Sequence, residues 1–168
     1  KKKQKQERTR PKDVDKNDPA SLIKLANYYQ KEDIDRSLKI NKKIVKKFPS
    51  TKYAKQALTR IYQISQNKKH RELKKYIGTI RSKRVPEELR RASYELSILI
   101  NASDGKQKKA KKLCKKVIDK YPDTDSEKYA MYKLTTLPEN ENTNYLDALK
   151  QRYPEDQLTF LAREQAGE

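Results

Sequence analysis

The sequence predicts an all-helical fold in which about nine helices stack as antiparallel pairs, and three observations lead to this prediction. Only three glycines and no tryptophan occur among 168 residues, whereas strand-rich folds need many glycine turns. Apolar residues make up 33% of the chain, which suits thin layers of stacked helices better than one thick core. Prolines recur at intervals of 30 to 37 residues, namely at Pro19, Pro49, Pro86, Pro122 and Pro154.

Each of these prolines precedes a stretch whose apolar residues recur every three or four positions, as in an amphipathic helix. Proline fits the first turn of a helix and disrupts its interior, so it marks where helices begin. Asp18, Ser50, Asp123 and Glu155 stand where a helix N-terminus favours an acceptor or a negative charge. A spacing of about 34 residues is typical of repeat arrays. The first helices of the pairs are therefore predicted at 19–30, 50–66, 87–102, 124–137 and 155–165.

A second helix fits between each two successive prolines. Ala110, Leu113, Cys114, Val117 and Ile118, for example, keep the three- and four-residue spacing of a helix with one apolar face. The breaks between the helices are short and polar. The second helices are predicted at 34–48, 70–84, 106–121 and 143–152.

The N-terminal segment differs from the rest of the chain. Residues 1–17 contain one aliphatic side chain, Val14, and are rich in basic residues. Such a segment cannot bury enough apolar surface to offset the entropy of ordering it. We therefore expect residues 1–17 to be a flexible basic tail or linker and residues 18–168 to form the helical repeat domain. Because Lys1 is not preceded by an initiator methionine, we also expect the chain to be part of a longer protein.

The formal net charge of +19 predicts an anionic partner: nucleic acid, anionic lipid or an acidic protein. The second helices carry most of this charge, which predicts a basic outer face. A solvated, lysine-rich helix surface that serves solubility alone is the competing interpretation. The residues predicted to contact an anionic surface are Lys74, Lys75, Lys108, Lys112 and Lys116.

Tyrosine is concentrated on the first helices, which carry seven of the eleven tyrosines. An aromatic ring with a polar tip is well suited to anchoring a protein partner, although tyrosine also packs repeats together. Tyr29, Tyr62, Tyr94 and Tyr132 recur at comparable places and are predicted to line a groove for a peptide or a helix. Since the lysines lie on the second helices, we expect the tyrosines to lie away from the basic face.

No set of residues with catalytic or metal-binding spacing is found, so the sequence predicts a protein without enzymatic activity, cofactor or metal. His70 is the only histidine, which leaves a Cys–His pair or a histidine metal site without partners. Cys114 falls in the apolar stripe of its helix and is interpreted as a small core residue, with a reactive thiol as the alternative. No run of 18 apolar residues and no secretory signal is present.

Two segments resemble the junctions of tetratricopeptide repeats: SLKINKKIVKKFPSTKYAKQALTRIY (37–62) and AKKLCKKVIDKYPDTDSEKYAMYKL (110–134). In that family a small residue precedes the terminal proline by twelve positions, as Ala110 precedes Pro122 and Ser37 precedes Pro49. The tryptophan and the Leu-Gly pair of the family's first helix are missing. The segments are most similar to repeats of bacterial outer-membrane assembly lipoproteins and of the periplasmic Tol-Pal coordinator.

This resemblance implies a right-handed solenoid whose first helices line a concave face, and a scaffold that binds a protein or peptide there. It also implies a place in the bacterial periplasm or at the outer membrane. The basic outer face is then expected to contact lipid headgroups or an acidic subunit. A helical repeat protein that binds nucleic acid or another polyanion is the alternative, because phosphate contacts would account for the charge directly.

Overall fold

The structure, a computed structural model, describes residues 9–67, 70–138 and 143–168, without the side chains at 67, 70 and 143. Within these residues it contains nine α-helices and no strand, which confirms the all-α prediction. The helices are α1 (Pro19–Glu32), α2 (Ile34–Lys47), α3 (Lys52–Asn67), α4 (His70–Ile80), α5 (Glu87–Ser103), α6 (Gln107–Lys120), α7 (Asp125–Thr136), α8 (Thr143–Arg152) and α9 (Gln157–Ala166).

Side-chain caps explain where several helices begin. Asp18 accepts hydrogen bonds from the backbone N–H groups of Ala20 (3.2 Å) and Ser21 (2.8 Å), while Pro19 occupies the first helical position. Asp33 ends α1 by donating its N–H to the Tyr29 carbonyl and then caps α2 with its side chain. One residue therefore makes the tight corner between the first two helices.

The structure shifts two of the predicted N-terminal acceptors by one position. Thr124, not Asp123, caps α7 through a bond that its hydroxyl accepts from the Glu127 N–H (3.3 Å). Likewise Asp156, not Glu155, caps α9. The proline pattern predicts each helix start to within a few residues. Which residue caps the helix depends on whose side chain reaches the free N–H groups of the first turn.

Helix α4 ends at Ile80 and not at residue 84 as predicted. Residues 81–84 have no apolar side chain to bury, and Val85 precedes a proline, which disfavours helical backbone at that residue. Arg81 instead donates a hydrogen bond to the Ser97 hydroxyl (2.7 Å). The chain therefore leaves the helix one turn earlier than its basic residues indicate.

The chain forms two compact units. The first comprises residues up to Thr79 together with Lys83–Leu89, and the second comprises Ile80–Ser82 and Arg90–Glu168. Residues 9–17 of the predicted tail are not helical, and the remainder of that tail, 1–8, lies outside the described residues.

In the first unit α2 packs against α1 and α3, and α1 also contacts α3. Small residues allow this close approach, since Ala26, Ala54 and Ala57 have no exposed surface. Ser37 donates a hydrogen bond from its buried hydroxyl to the Ala26 carbonyl (2.8 Å) and so ties α2 to α1. The narrow apolar stripes meet inside the unit, and the polar face of each helix remains outside.

In the second unit α7 packs against α6, α8 and α9. One apolar cluster includes Cys114, Val117, Tyr121 and Leu134, and a second centres on Met131, Leu149 and Ala162. Cys114 has no exposed surface, which confirms its interpretation as a core residue.

A buried carboxylate fixes the start of α7 to the end of α8. The side chain of Glu127 is 2% exposed and accepts hydrogen bonds from both terminal nitrogens of Arg152 (2.7 and 2.9 Å). It also accepts bonds from the Tyr153 hydroxyl (2.7 Å) and the Asp123 N–H (2.7 Å). Burial by itself would raise the pKa of Glu127, but these four bonds more than offset burial and hold the pKa below its usual value. Oε1 accepts one of these bonds and Oε2 accepts the other three, so both carboxylate oxygens have donors.

A second ionic contact joins α7 to α9. The Lys128 ammonium lies 2.8 Å from a carboxylate oxygen of Asp125 and 2.7 Å from one of Asp156, the residue that caps α9. The bonds from Lys128 lower the pKa of both carboxylates. The three C-terminal helices are thus held by polar contacts in addition to their small apolar cluster.

We expect Glu127→Gln to lower the free energy of unfolding by about 2 kcal/mol at neutral pH, because the amide cannot accept four charge-assisted hydrogen bonds. Urea denaturation followed by circular dichroism measures the change. Asp147→Asn, on the exposed surface of α8, is the matched control and should change stability by less than about 0.5 kcal/mol.

The stability difference between wild type and Glu127→Gln should also depend on pH, and it should decrease as the pH falls. Because the native pKa of Glu127 lies below its ordinary value of 4.5, the unfolded state binds the proton more tightly. The stabilisation is therefore complete above pH 4.5 and is lost as the pH falls through the native pKa. An unchanged difference between wild type and Glu127→Gln at acid pH would contradict this account of the carboxylate.

Candidate partner-binding surfaces

An open groove of about 380 Å³ lies along the exposed face of α3. This face is defined by residues that recur every three or four positions, opposite the buried stripe of Ala54, Ala57, Leu58 and Ile61. The side chains that line the α3 groove are Lys52, Lys55, Gln56, Thr59, Arg60 and Gln63.

The α3 groove has a strongly cationic lining. It contains three basic side chains, and α3 has no acidic residue anywhere in its sequence. The amides of Gln56 and Gln63 add neutral hydrogen-bond donors. The Thr59 hydroxyl donates to the Lys55 carbonyl (3.0 Å), so its oxygen remains available only as an acceptor. Together these groups favour a ligand that carries carboxylates or other anionic oxygens.

Arg60 gives the groove its most distinctive polar group. Its side chain is half-buried, and its Nε is buried without a hydrogen-bond partner among the described residues. Burial lowers the pKa of Arg60, although a guanidinium remains charged at any physiological pH. Because Arg60 lines the groove, its permanent positive charge attracts an anionic ligand there.

The second candidate surface is on α6, which carries seven lysines and one acidic residue, Asp119. The apolar residues Ala110, Cys114 and Val117 are fully buried on the opposite side of this helix. The lysine face of α6 consists of the exposed residues Lys108, Lys109, Lys112, Lys115, Lys116 and Lys120. It includes three of the five lysines predicted to meet an anionic surface.

The other two predicted lysines lie on α4, in the first unit. Lys75 is exposed, whereas Lys74 is half-buried and has an interaction within the structure. The side chain of His70, at the start of the same helix, lies outside the described residues.

The structure does not bring the four predicted tyrosines together as one exposed stripe. Tyr29 is 6% exposed and Tyr94 is 4% exposed, so both rings are core residues. Tyr62 and Tyr132 are half-buried, and the Tyr132 hydroxyl accepts a hydrogen bond from Gln165 (3.1 Å). Only Tyr62 and Tyr132 keep ring surface for a partner, and Tyr62 is not among the residues that line the α3 groove.

The tyrosines also do not lie away from the basic residues, contrary to the prediction. Arg36 of α2 lies 4.9 Å from the centroid of the Tyr29 ring, and Arg81 and Lys116 lie 5.4 and 6.0 Å from the centroid of the Tyr94 ring. These distances are within the range of cation–π attraction. The rings therefore serve as neighbours for cations within each unit and not as a separate aromatic surface.

The thiol of Cys114 does not have the properties of a reactive cysteine. Burial raises its pKa to about 12, and the nearby charge of Lys133 offsets only part of that effect. The alternative of a thiol activated by neighbouring lysines is therefore wrong, because a protonated, buried sulfur is a weak nucleophile.

Neither metal-binding nor membrane-spanning features occur in the part of the chain that the structure describes. Its His, Cys, Asp and Glu residues do not assemble three at a time into a group that could hold a metal ion. None of its helices is both long enough and apolar enough to cross a bilayer. Comparisons with protein-family models, curated proteins and solved structures found no match to this chain.

The α3 groove was not predicted from the sequence, although one signal for it was present. The 16 residues of α3 include three basic residues and no acidic residue. Charge composition identifies such a face, but it does not show that the side chains on that face leave a groove between them.

We expect Arg60→Met to leave the free energy of unfolding unchanged or to raise it by up to about 1 kcal/mol, because the change removes a desolvated donor without a partner. Methionine preserves the packing of the long side chain. Chemical denaturation measures the effect, with Arg163→Met on the exposed surface of α9 as control. A loss of more than about 1 kcal/mol would show that Arg60 has a structural role instead.

Proposed function

We propose that this chain is a non-enzymatic scaffold of helical repeats that holds a partner protein by an acidic segment bound in the α3 groove. The observation that carries the proposal is the groove itself, with Lys52, Lys55 and Arg60 in its lining and no carboxylate on α3. A groove of about 380 Å³ is in the size range of ligand-binding clefts.

The dimensions of the groove fit an extended peptide. From Lys52 to Gln63 the helix axis rises about 16 Å, at roughly 1.5 Å per residue. An extended chain covers that length with about five residues. Acidic side chains on alternate positions of such a segment would meet the lysines and Arg60, while the glutamine amides would donate to its backbone carbonyls.

The packing of the helices supports a repeat architecture as part of the proposal. In stacked helix pairs, a first helix contacts its own second helix and also the next first helix. Contacts of α1 with α2 and α3 have this pattern, as do contacts of α7 with α8 and α9. We therefore include in the proposal the right-handed, tetratricopeptide-like solenoid that residues 37–62 and 110–134 resemble, with its place in the bacterial envelope.

The nucleic-acid alternative has its support in the net charge of +19. The lining of the α3 groove favours a peptide, because it has no aromatic ring on which a base could stack. Its amides and unpaired guanidinium suit a ligand whose backbone and carboxylates have defined positions.

The test is selection of peptides from a random library at about physiological salt, where weak surface attraction is screened. The enriched peptides should be rich in Asp and Glu. They should bind the variant Lys52→Glu/Lys55→Glu at least about tenfold more weakly than wild type, because one disrupted charge-assisted contact costs about 1.4 kcal/mol or more.

The matched control is Lys16→Glu/Lys24→Glu, which changes the net charge equally at two exposed lysines outside the groove. It should bind the enriched peptides within about threefold of wild type, since screened surface charges contribute little. Equal binding by the groove variant and the control would show that the total charge, and not the α3 groove, attracts the peptides.

A further inference from the structure

The lysine face of α6 stands apart from every other surface of the second unit. Its exposed lysines outnumber the one carboxylate of the helix, Asp119, by six to one. Lys108, Lys109 and Lys112 form no ion pair with a carboxylate of the described residues. The helix has length enough to extend this charge over about 18 Å, from Lys108 to Lys120.

The same lysines weaken the helix that carries them. Lys106 occupies the N-cap position of α6 without a side-chain hydrogen bond, and the first turn has no acidic residue. Lysines near that end oppose the helix dipole, which favours negative charge there. Lys108, Lys112, Lys116 and Lys120 also follow one another at four-residue spacing, where like charges repel. An anionic surface against this face would relieve both unfavourable interactions.

We propose that the lysine face of α6 docks the protein on the anionic surface of a lipid bilayer. Lysine acts as a flexible point charge and does not need the fixed geometry that an arginine fork imposes on its partner. Anionic lipids diffuse in the plane of the bilayer and can gather under such charges. Basic residues near an anionic membrane each increase binding about fivefold, and the effect decays within a Debye length.

The chemistry of this face favours a bilayer over nucleic acid. Helix α6 has no arginine. Arginine is the residue that most often forms bidentate hydrogen bonds with guanine and with phosphate. The two aromatic rings beside the lysine face, Tyr94 and Tyr121, are 4% exposed and cannot stack on bases. Lys116 and Lys120 instead lie over those rings, 6.0 and 5.5 Å from the ring centroids.

Docking through this face is electrostatic, without insertion into the hydrocarbon region. Leu113 and Ile118, the half-buried apolar residues of α6, pack against the cores of the second unit. Helices that bury themselves in the interface need an exposed apolar face, which α6 lacks. Binding is therefore reversible and sensitive to salt.

The charge distribution of the second unit also gives docking a direction. Residues 122–168 contain ten acidic and five basic residues, in contrast to α6. Glu155 and Glu164 are exposed on this acidic part. An anionic bilayer attracts α6 and repels α7–α9, so α6 faces the membrane.

Sedimentation with phosphatidylcholine vesicles, with and without about 30% phosphatidylserine, tests the proposal. The variant Lys108→Glu/Lys112→Glu/Lys116→Glu should bind the anionic vesicles at least about a hundredfold more weakly than wild type, since three contributions of about fivefold are lost. The control Lys12→Glu/Lys16→Glu/Lys24→Glu changes the net charge equally at exposed residues outside α6 and should bind within about tenfold of wild type. Circular dichroism verifies that both variants are folded.

The direction of docking has its own readout in a Cys114→Ser background. A dye at Lys109→Cys should transfer energy to headgroup-labelled lipid more efficiently than a dye at Glu155→Cys. Equal vesicle binding by the α6 variant and the control overturns the proposal, as does binding that is independent of phosphatidylserine. Binding to duplex DNA but not to vesicles, lost in the α6 variant, would overturn it in favour of a nucleic-acid surface. Neither variant changes a residue of the α3 groove, so failure of the membrane proposal would not count against the proposed peptide binding.

Discussion

Each helix of this chain has one narrow apolar stripe, and burial of that stripe against the neighbouring helices is the interaction on which the rest of the structure depends. In the first unit this burial depends on Ala26, Ala54 and Ala57, small residues that let the helices approach closely and that have no exposed surface. With only 33% apolar residues, little remains for a second apolar face. The outward side of each helix is therefore free to carry lysine, glutamine and arginine, and those sides are the candidate binding surfaces.

Two ionisable side chains show how differently the fold treats buried charge. Glu127 is 2% exposed, but four donors surround its carboxylate, so it stabilises the junction of α7 and α8. Arg60 is only half-buried, yet its Nε has no acceptor among the described residues. The charge of Glu127 therefore stabilises the fold, whereas the charge of Arg60 lies in the lining of the α3 groove.

The helices could be predicted from the sequence because their limits depend on local chemistry. Asp18 and Pro19 determine the start of α1 within two residues. The apolar face of α6 is likewise set by residues three or four positions apart, Ala110, Cys114 and Val117. The end of α4 escaped prediction because Arg81 leaves the helix for a hydrogen bond to Ser97, sixteen residues away. Long-range partners of this kind leave no mark on local periodicity.

The candidate binding surfaces could be predicted only in part. The exposure of Lys108, Lys112 and Lys116 follows from the helical period of α6 and is confirmed, while their contact with an anionic surface stays a prediction. The prediction that four tyrosines line a groove was wrong for Tyr29 and Tyr94, which are buried in cores. Tyrosine packs into a core as readily as it binds a partner, so the sequence alone does not distinguish the two roles. The α3 groove is a property of shape, which composition does not encode.

The central claim is that an acidic segment binds along α3, and nuclear magnetic resonance tests it most directly. A selected acidic peptide would be titrated into isotope-labelled protein while the backbone amide shifts are followed. The account predicts that the largest changes are confined to residues 52–63, with the Arg60 side-chain Nε–H among them. Changes centred on α6, or spread evenly over all lysine-rich helices, would contradict it.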